Sequence, residues 1–212
     1  NRLSERGPAC WRENGNPVGR IDCAYAIRPL LRSASKCGDS AVCLPGEDTC
    51  FLALTDVLGH GEQARDVAAQ AERFFLRHSS EDLLSVINGL HRCLAGTRGA
   101  VSSICRLNIK TGVLAYTGVG NVAMKLAGRQ SIQLVTSDGV IGYGPIHPRV
   151  REQRIQPGTT LLLYSDGVSE HISFLECPGI LHRSADEIAN RVLDRFGTNS
   201  DDASCIVLKY LR

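Results

Sequence analysis

The spacing of apolar and polar positions along the chain changes near residue 97. Before it, short apolar runs give way to runs with Ala, Val and Phe at helical spacing. The turn residues PGED separate two of the apolar runs and are typical of a β-hairpin. The first half is predicted to hold a strand at 21–30, hairpin strands at 40–44 and 49–56, and helices at 62–77 and 80–96, the second capped by Ser80.

Beyond residue 97 the apolar runs are short and separated by turn residues, which is typical of strands. Two adjacent helices among many hairpin-linked strands predict an α+β fold of layered antiparallel sheets, and not a repeated βαβ unit. The elements predicted in this half are strands at 100–109, 112–119, 122–128, 132–137, 149–155, 159–166 and 203–211, and a helix at 184–196.

The composition of the 212 residues is that of an ordinary globular protein, with 43% apolar and 22% charged residues. We therefore expect a single domain spanning 1–212, in which the polar residues 1–20 form a loose arm or an edge element. The net charge of +2 gives no electrostatic reason to expect nucleic acid or a membrane as a partner. With 5 Phe, 5 Tyr and 1 Trp, platforms for stacking bases are not expected either.

Nine cysteines are present, an odd number, and no two of them have C-x-x-C spacing. Most lie inside apolar runs, so we interpret them as small buried hydrophobic residues in a reducing compartment, and not as a disulfide framework or a zinc site. No signal peptide is visible, and no apolar run approaches the roughly 20 residues of a membrane span. These features together predict a cytoplasmic location.

Carboxylates stand at four junctions between a predicted strand and a loop, in CGDS, TDVLGHG, YSDG and NSDDAS. If the strands pair as antiparallel neighbours, each pair brings its acids to one end of a sheet. Acids gathered there repel one another unless a cation lies between them, and Mg²⁺ or Mn²⁺ prefers such oxygen ligands. Two such ions can activate water for hydrolysis of a phosphate ester. Asp and Gly also favour ordinary turns, and spacing alone leaves both interpretations open.

The motifs CGDS (37–40), DVLGHG (56–61), YSDGVSE (164–170) and DDASCIVL (201–208) resemble, in order and type, those of the metal-dependent serine/threonine phosphatases of the PPM superfamily. The glycine-rich D-x-x-G-H-G form and the stretch 97–126 resemble its bacterial SpoIIE/RsbU/RsbX branch. The resemblance covers roughly residues 36–210. It implies an αββα sandwich of two antiparallel sheets flanked by helices, with metals at one end of the sheets.

The resemblance also implies a two-metal site with Mn or Mg. By position, Asp56 would bridge the two ions and the backbone carbonyl of Val57 would complete one site. Asp39 would hold the second ion through water, and Asp166 and Asp201 would hold the first. Hydrolysis would be a direct attack by a metal-bridging hydroxide, without a phosphoenzyme.

Two residues near these ligands remain ambiguous. Asp202 is the alternative to its neighbour Asp201 as a ligand, and His60 is either a general acid or a turn residue. Asn121 stands where many relatives have an Asp, which argues against a third metal there. No equivalent of the phosphate-binding arginine of eukaryotic relatives is evident.

The compact form, with no sensor region before residue 20, resembles most the stressosome phosphatases of the RsbX kind. That resemblance implies phosphorylated STAS-domain stressosome proteins as substrates. One alternative is an RsbU-like phosphatase acting on an anti-anti-sigma factor or another STAS protein. A second alternative is a catalytically silent module that binds a phosphoprotein.

A further alternative comes from GVGNVA (118–123), which mimics a dinucleotide-binding fingerprint with Asp138 twenty positions after its first glycine. We favour a turn between two strands, because too few residues follow for the crossover of a parallel pair. Asp138 is then a turn residue, although it shares the SDG sequence with Asp166. Arg149, Arg151 and Arg154 are expected on a solvated strand face.

Overall fold

Two antiparallel sheets form the centre of the protein in the computed structural model, which describes residues 5–6, 21–31, 33–128, 131–169, 172 and 179–211. The strands are β1 (Glu5–Arg6), β2 (Ile21–Arg28), β3 (Asp39–Pro45), β4 (Thr49–Val57), β5 (Ala100–Asn108), β6 (Val113–Val119), β7 (Ala123–Ala127), β8 (Ile132–Leu134), β9 (Arg151–Arg154), β10 (Thr160–Tyr164) and β11 (Ala203–Tyr210). The α-helices are α1 (Glu62–His78), α2 (Leu83–Cys93) and α3 (Ala185–Phe196).

One sheet has six strands in the order β1-β2-β11-β10-β7-β8, and the other has five in the order β3-β4-β5-β6-β9. Every pairing between these strands is antiparallel. The predicted hairpin around PGED is the β3–β4 pair, and its register sets Asp39 opposite Asp56. The five-stranded sheet therefore carries two acids side by side at one end.

Three apolar clusters make a four-layer sandwich of helices, sheet, sheet and helix. The central cluster fills the space between the sheets with residues of both, such as Leu52 and Leu208. A second joins α1 and α2 to the five-stranded sheet, with Phe75 packed against Phe51. The third joins α3 to the six-stranded sheet. The predicted αββα sandwich is confirmed.

The second helix differs from its prediction at both ends. It begins at Leu83, because the Asp82 side chain caps it by accepting a hydrogen bond from the Ser85 backbone N–H at 2.9 Å. Ser80 therefore lies outside the helix and is not its cap. The helix ends at Cys93, three residues before Gly96, the predicted end.

The described cysteines are not joined in disulfides, and most of them are buried. Burial raises the pKa of Cys105 and of Cys205 to about 12, so both stay protonated and unreactive at neutral pH. Cys10 and Cys177 lie outside the described residues. Separately, none of the helices in the described ranges is both long and apolar enough to cross a membrane.

The dinucleotide interpretation of GVGNVA is wrong. This segment leads from β6 in the five-stranded sheet to β7 in the six-stranded sheet, and a strand, not a helix, follows it. A dinucleotide fingerprint needs a helix N-terminus at that place to receive the pyrophosphate. Asp138 is exposed in a loop, and Arg149, Arg151 and Arg154 are exposed as predicted.

Candidate metal centre

Acids from both sheets meet at one end of the sandwich. Asp56 lies opposite Asp39 in the five-stranded sheet. In the six-stranded sheet, β10 and β11 pair with Tyr164 opposite Cys205, so Asp166 and Asp201 flank the same end of that pair. The acids of the two sheets interact electrostatically, since the charges of Asp39, Asp166 and Asp201 each raise the pKa of Asp56.

Burial and charge repulsion raise the pKa values of two acids in this cluster, Asp56 and Asp39. Burial, followed by the charges of its three acidic neighbours, raises the pKa of Asp56 to about 9. Its carboxyl group also hydrogen-bonds to Asp166, which further favours the protonated form. The pKa of Asp39 rises to about 7, mainly through burial. Asp39 and Asp56 therefore stay protonated at pH values below about 7 at which free carboxyl groups are already ionised.

The Asp39 carboxylate is held by serines of the opposite sheet. Ser165 donates its hydroxyl proton to Oδ2 of Asp39 at 2.7 Å. The Ser165 oxygen in turn accepts hydrogen bonds from the backbone N–H of Ser204 at 3.0 Å and from its hydroxyl at 3.2 Å. This buried chain of hydrogen bonds fixes the side-chain orientation of Asp39 relative to β10 and β11.

Asp202 has a different role from that of its neighbour. It is buried, and its two carboxylate oxygens accept the backbone N–H groups of Leu30 and Gly38, each at 2.7 Å. Both oxygens therefore join the start of β11 to the residues that follow β2 and that precede β3. Asp201 is exposed and raises the pKa of Asp56, so of the two it is the one available to the cluster.

The loop after Asp56 depends on a close approach of backbone to backbone. A Cβ on Gly38 would lie 2.8 Å from the Gly59 carbonyl oxygen and 3.1 Å from that of Val57. Gly59 itself has φ +79°, a left-handed conformation that side chains disfavour. Glycine at both positions lets the Val57 and Gly59 carbonyls approach Gly38, the residue before Asp39. The His60 side chain is exposed at the tip of this loop.

A second close approach explains the glycine of YSDG. A Cβ on Gly167 would lie 1.8 Å from the Asp202 carbonyl oxygen, closer than any real side chain allows. The turn that presents Asp166 therefore lies directly against the segment that presents Asp201.

The oxygens of this cluster could coordinate a hard divalent cation after small side-chain movements. In the described part of the chain, no three Asp, Glu, His or Cys side chains form a ready-made cage for an ion. One reason is that Asn121 donates to Oδ2 of Asp166 at 3.0 Å. Asp166 is exposed and can rotate, and the donor set consists of oxygen alone, as Mg²⁺ and Mn²⁺ prefer.

Three positions in this network are absent from the sequence prediction as partners of the acids. Ser165 and Ser204 lie within the predicted motifs YSDGVSE and DDASCIVL, but only the stacking of the two sheets shows that Ser165, supported by Ser204, reaches Asp39. Asn121 was predicted to weaken a third metal site, and the structure instead makes it a hydrogen-bond donor to Asp166.

Comparison with known proteins identifies this arrangement. The family of stage II sporulation protein E (SpoIIE) matches residues 46–211. Phosphoserine phosphatase RsbX of Bacillus subtilis (strain 168) is 25% identical over 180 residues, which cover 82% of this chain and 87% of that protein.

Two solved structures share the whole architecture. One is a chain from the bacterial stressosome, a modular system that has been adapted to control secondary messenger signalling. It is 27% identical with a TM-score of 0.82, covering 89% of this chain and 99% of that one. The other is RsbX in complex with magnesium, which is 22% identical with a TM-score of 0.73, covering 97% and 98%. The latter likeness supports the fold.

Fold and relatives together define a PP2C-type serine/threonine phosphatase. Within that class the chain belongs to the SpoIIE family. The predicted resemblance to the SpoIIE/RsbU/RsbX branch of the PPM phosphatases is confirmed.

Replacement of Asp202 by Ala should destabilise the protein more than replacement of Asp201 by Ala. The first change leaves the Leu30 and Gly38 N–H groups without an acceptor, at a cost of about 3 kcal/mol. The second removes an exposed side chain whose one described hydrogen bond is from the Asp202 N–H at 2.8 Å, at a cost of about 1 kcal/mol. Urea unfolding of both variants measures the difference, and equal midpoints would contradict the assignment of Asp202 as a clamp between the sheets.

The metal-free protein should lose stability as the pH rises from about 4 towards about 9. The folded state holds a proton on Asp56 up to about pH 9, whereas the unfolded chain releases it near pH 4. Ionisation of Asp56 therefore destabilises the folded state relative to the unfolded chain. Asp56→Asn removes this loss, and its melting temperature in chelator at pH 8 should exceed that of the wild type by several degrees. Asp138→Asn, an exposed control, should follow the wild type. Parallel pH curves for all three proteins would refute the buried-acid explanation.

Proposed function

We propose that this phosphatase uses two divalent metal ions, Mn or Mg, to remove phosphate from phosphoserine or phosphothreonine on STAS-domain proteins of a stressosome. The observation that carries the proposal is the meeting of acids from both sheets around Asp56. Buried acids with so high a pKa are destabilising at neutral pH unless cations lie between them. The magnesium complex of RsbX supports the choice of ion.

The residues of the centre have distinct roles in this proposal. Asp56 interacts with the acids of both sheets and would contact both ions. Asp166 and Asp201 would hold one ion from the six-stranded sheet, with the Val57 carbonyl completing a site. Asp39, fixed by Ser165 and fully buried, would act on the second ion through water.

Bound ions of this kind polarise a phosphoryl oxygen and lower the pKa of water, which supplies a nucleophile at neutral pH. We propose a single-step hydrolysis without a phosphoenzyme. Ionised Asp56, Asp166 and Asp201 would offset the ionic charge, and release of the Asp166 oxygen from Asn121 would accompany loading. The exposed His60 is a candidate proton donor to the leaving serine oxygen, since imidazole titrates near neutral pH.

The names of the relatives support the substrate class. RsbX is a phosphoserine phosphatase, and the most similar solved chain reported above belongs to a bacterial stressosome. Action on an RsbU-type substrate, a phosphorylated anti-anti-sigma factor, is the second candidate, because those phosphatases share this family. A cytoplasmic location remains a prediction.

The decisive measurement is phosphate release from a phosphoserine STAS-domain protein in the presence of Mn²⁺ and then of excess chelator. Release that needs the ion is expected, and Asp166→Asn should lower it at least about a hundredfold, because an ion ligand supplies several kcal/mol of transition-state stabilisation. Asp56→Asn should have the same effect, also with para-nitrophenyl phosphate. Asp138→Asn, the other SDG acid, is the matched control and should keep full activity.

Two outcomes would count against the proposal. Unchanged turnover in both ligand variants would refute the site. No release by the folded wild type, from a substrate that a control phosphatase dephosphorylates, would favour the silent phosphoprotein-binding module. A higher kcat/KM on a phosphorylated anti-anti-sigma factor than on a stressosome scaffold protein would favour the RsbU-like role.

A further inference from the structure

A cleft of about 330 Å³ lies beside the loop that follows Asp56. Its polar lining includes two cationic side chains, Lys36 and Arg98, one acidic side chain, Glu62, and His60, while Leu31 forms an exposed apolar edge. The cleft is distinct from the acid cluster, since none of the acids assigned to metals lines it. It borders the same loop, however, so a ligand in it would lie next to the reaction site.

Arg98 lies flat on that loop. Its Nη1 atom donates to the His60 carbonyl oxygen at 3.3 Å. A Cβ on Gly59 would be 3.6 Å from each of Cζ, Nη1 and Nη2, so the plane of the guanidinium faces Gly59. A guanidinium has five N–H donors, and the described contacts of this side chain use one of them. The remaining donors can receive an anion.

The backbone around Arg98 is fixed to the same loop and to its neighbours. The Leu58 N–H donates to the Gly99 carbonyl at 3.1 Å, and the Ala100 N–H donates to the Ile141 carbonyl at 3.0 Å. Gly99 has φ +83°, which turns the chain sharply after Arg98. The fold therefore fixes the backbone from which the exposed Arg98 side chain reaches the loop.

Lys36 supplies the second positive charge in the lining of the cleft. It ends a short 3₁₀-helix, Ala34–Lys36, and its carbonyl accepts the Gly61 N–H at 2.8 Å. Within the described residues, neither Lys36 nor Arg98 forms an ion pair with a carboxylate. The lining of the cleft thus carries two positive side chains without ion-pair partners among the described residues and one acidic side chain, Glu62. This charge favours the binding of an anion.

We propose that this cleft binds an acidic residue that flanks the phosphorylated residue of the protein substrate, with Arg98 and Lys36 as specificity-determining residues. The proposal rests on the proposed phosphatase function. Arg98 contacts the loop three to four residues beyond Asp56, and three residues of extended chain span about 10 Å. An acidic side chain a few residues from the phosphoserine covers that distance, whereas the phosphoryl group itself would lie at Asp56.

The test compares three substrates of the Mn²⁺-loaded enzyme: a phosphoserine peptide with glutamates on both sides, its twin with glutamines, and para-nitrophenyl phosphate. Arg98→Gln should raise KM for the glutamate peptide about five- to tenfold with little change in kcat, the effect of losing one charge-assisted contact. KM for the other two substrates should change less than about twofold, because neither carries a flanking anion.

Further variants test the sign of the charge. Lys36→Gln should raise KM for the glutamate peptide, as Arg98→Gln does. Arg98→Lys should raise this KM less than Arg98→Gln, because it keeps the positive charge. Glu62→Gln should lower it. Arg191→Gln is the matched control, because it removes an exposed arginine from α3 on the other side of the sandwich. Equal losses on all three substrates, or no loss on the glutamate peptide, would overturn the proposal.

A binding measurement separates this proposal from the proposed function. Nuclear magnetic resonance titration of the metal-free protein with the unphosphorylated glutamate peptide should shift the Gly61 and Gln63 amide signals, which lie at the cleft. The glutamine twin should not shift them, and Arg98→Gln should abolish the response. If the wild type hydrolyses no substrate but the titration gives this result, the cleft assignment stands while the phosphatase assignment fails. An absent response overturns the cleft assignment.

Discussion

The carboxylate of Asp202 joins the two sheets at the end where the other acids meet. It accepts backbone N–H groups from Leu30, after β2, and from Gly38, before β3, while its own chain continues into β11. One buried side chain thus links the start of a strand in the six-stranded sheet to the start of a strand in the five-stranded sheet. Together with the hydrogen bond from Ser165 to Asp39, this link fixes Asp39 and Asp56 relative to Asp166 and Asp201, which apolar packing alone, being non-directional, would not do.

The same joint concentrates negative charge where burial makes it costly. Asp39 and Asp56 respond with raised pKa values, and the hydroxyl of Ser165 stabilises one of the Asp39 oxygens. The centre is thus less stable than a neutral core would be, and the deficit is relieved by whatever brings positive charge between the acids. The repulsion among these acids both destabilises the folded state and favours the binding of cations, as is common at functional sites.

The sequence predicts the strands well because their apolar patterns are local, and it predicts the Asp39–Asp56 pair because the short PGED turn fixes one register. It fails mainly where a choice depends on a contact between distant segments. One failure is local, because Asp82 and not Ser80 caps α2 by accepting the Ser85 N–H, which the apolar pattern does not determine. Asp201 and Asp202 are equivalent in the sequence, and only the approach of Leu30 and Gly38, more than 160 positions away, distinguishes them. Arg98 is similarly 38 positions from His60.

The loop from Val57 to Gly61 belongs to both the acid cluster and the cationic cleft. Its first residue lies beside Asp56, and its Gly59 and His60 backbone supports the guanidinium of Arg98. The glycines that let this loop approach Gly38 also leave room for Arg98 above it, so one backbone conformation serves two functions. A side chain at Gly59 would meet an unfavourable φ, and its Cβ would be in van der Waals contact with the guanidinium of Arg98. In the functions proposed here for the cluster and the cleft, chemistry and recognition would therefore be coupled through a few backbone atoms. Divergence in substrate choice is accordingly easier at Lys36 and Arg98, whose side chains can change, than in the loop that carries them.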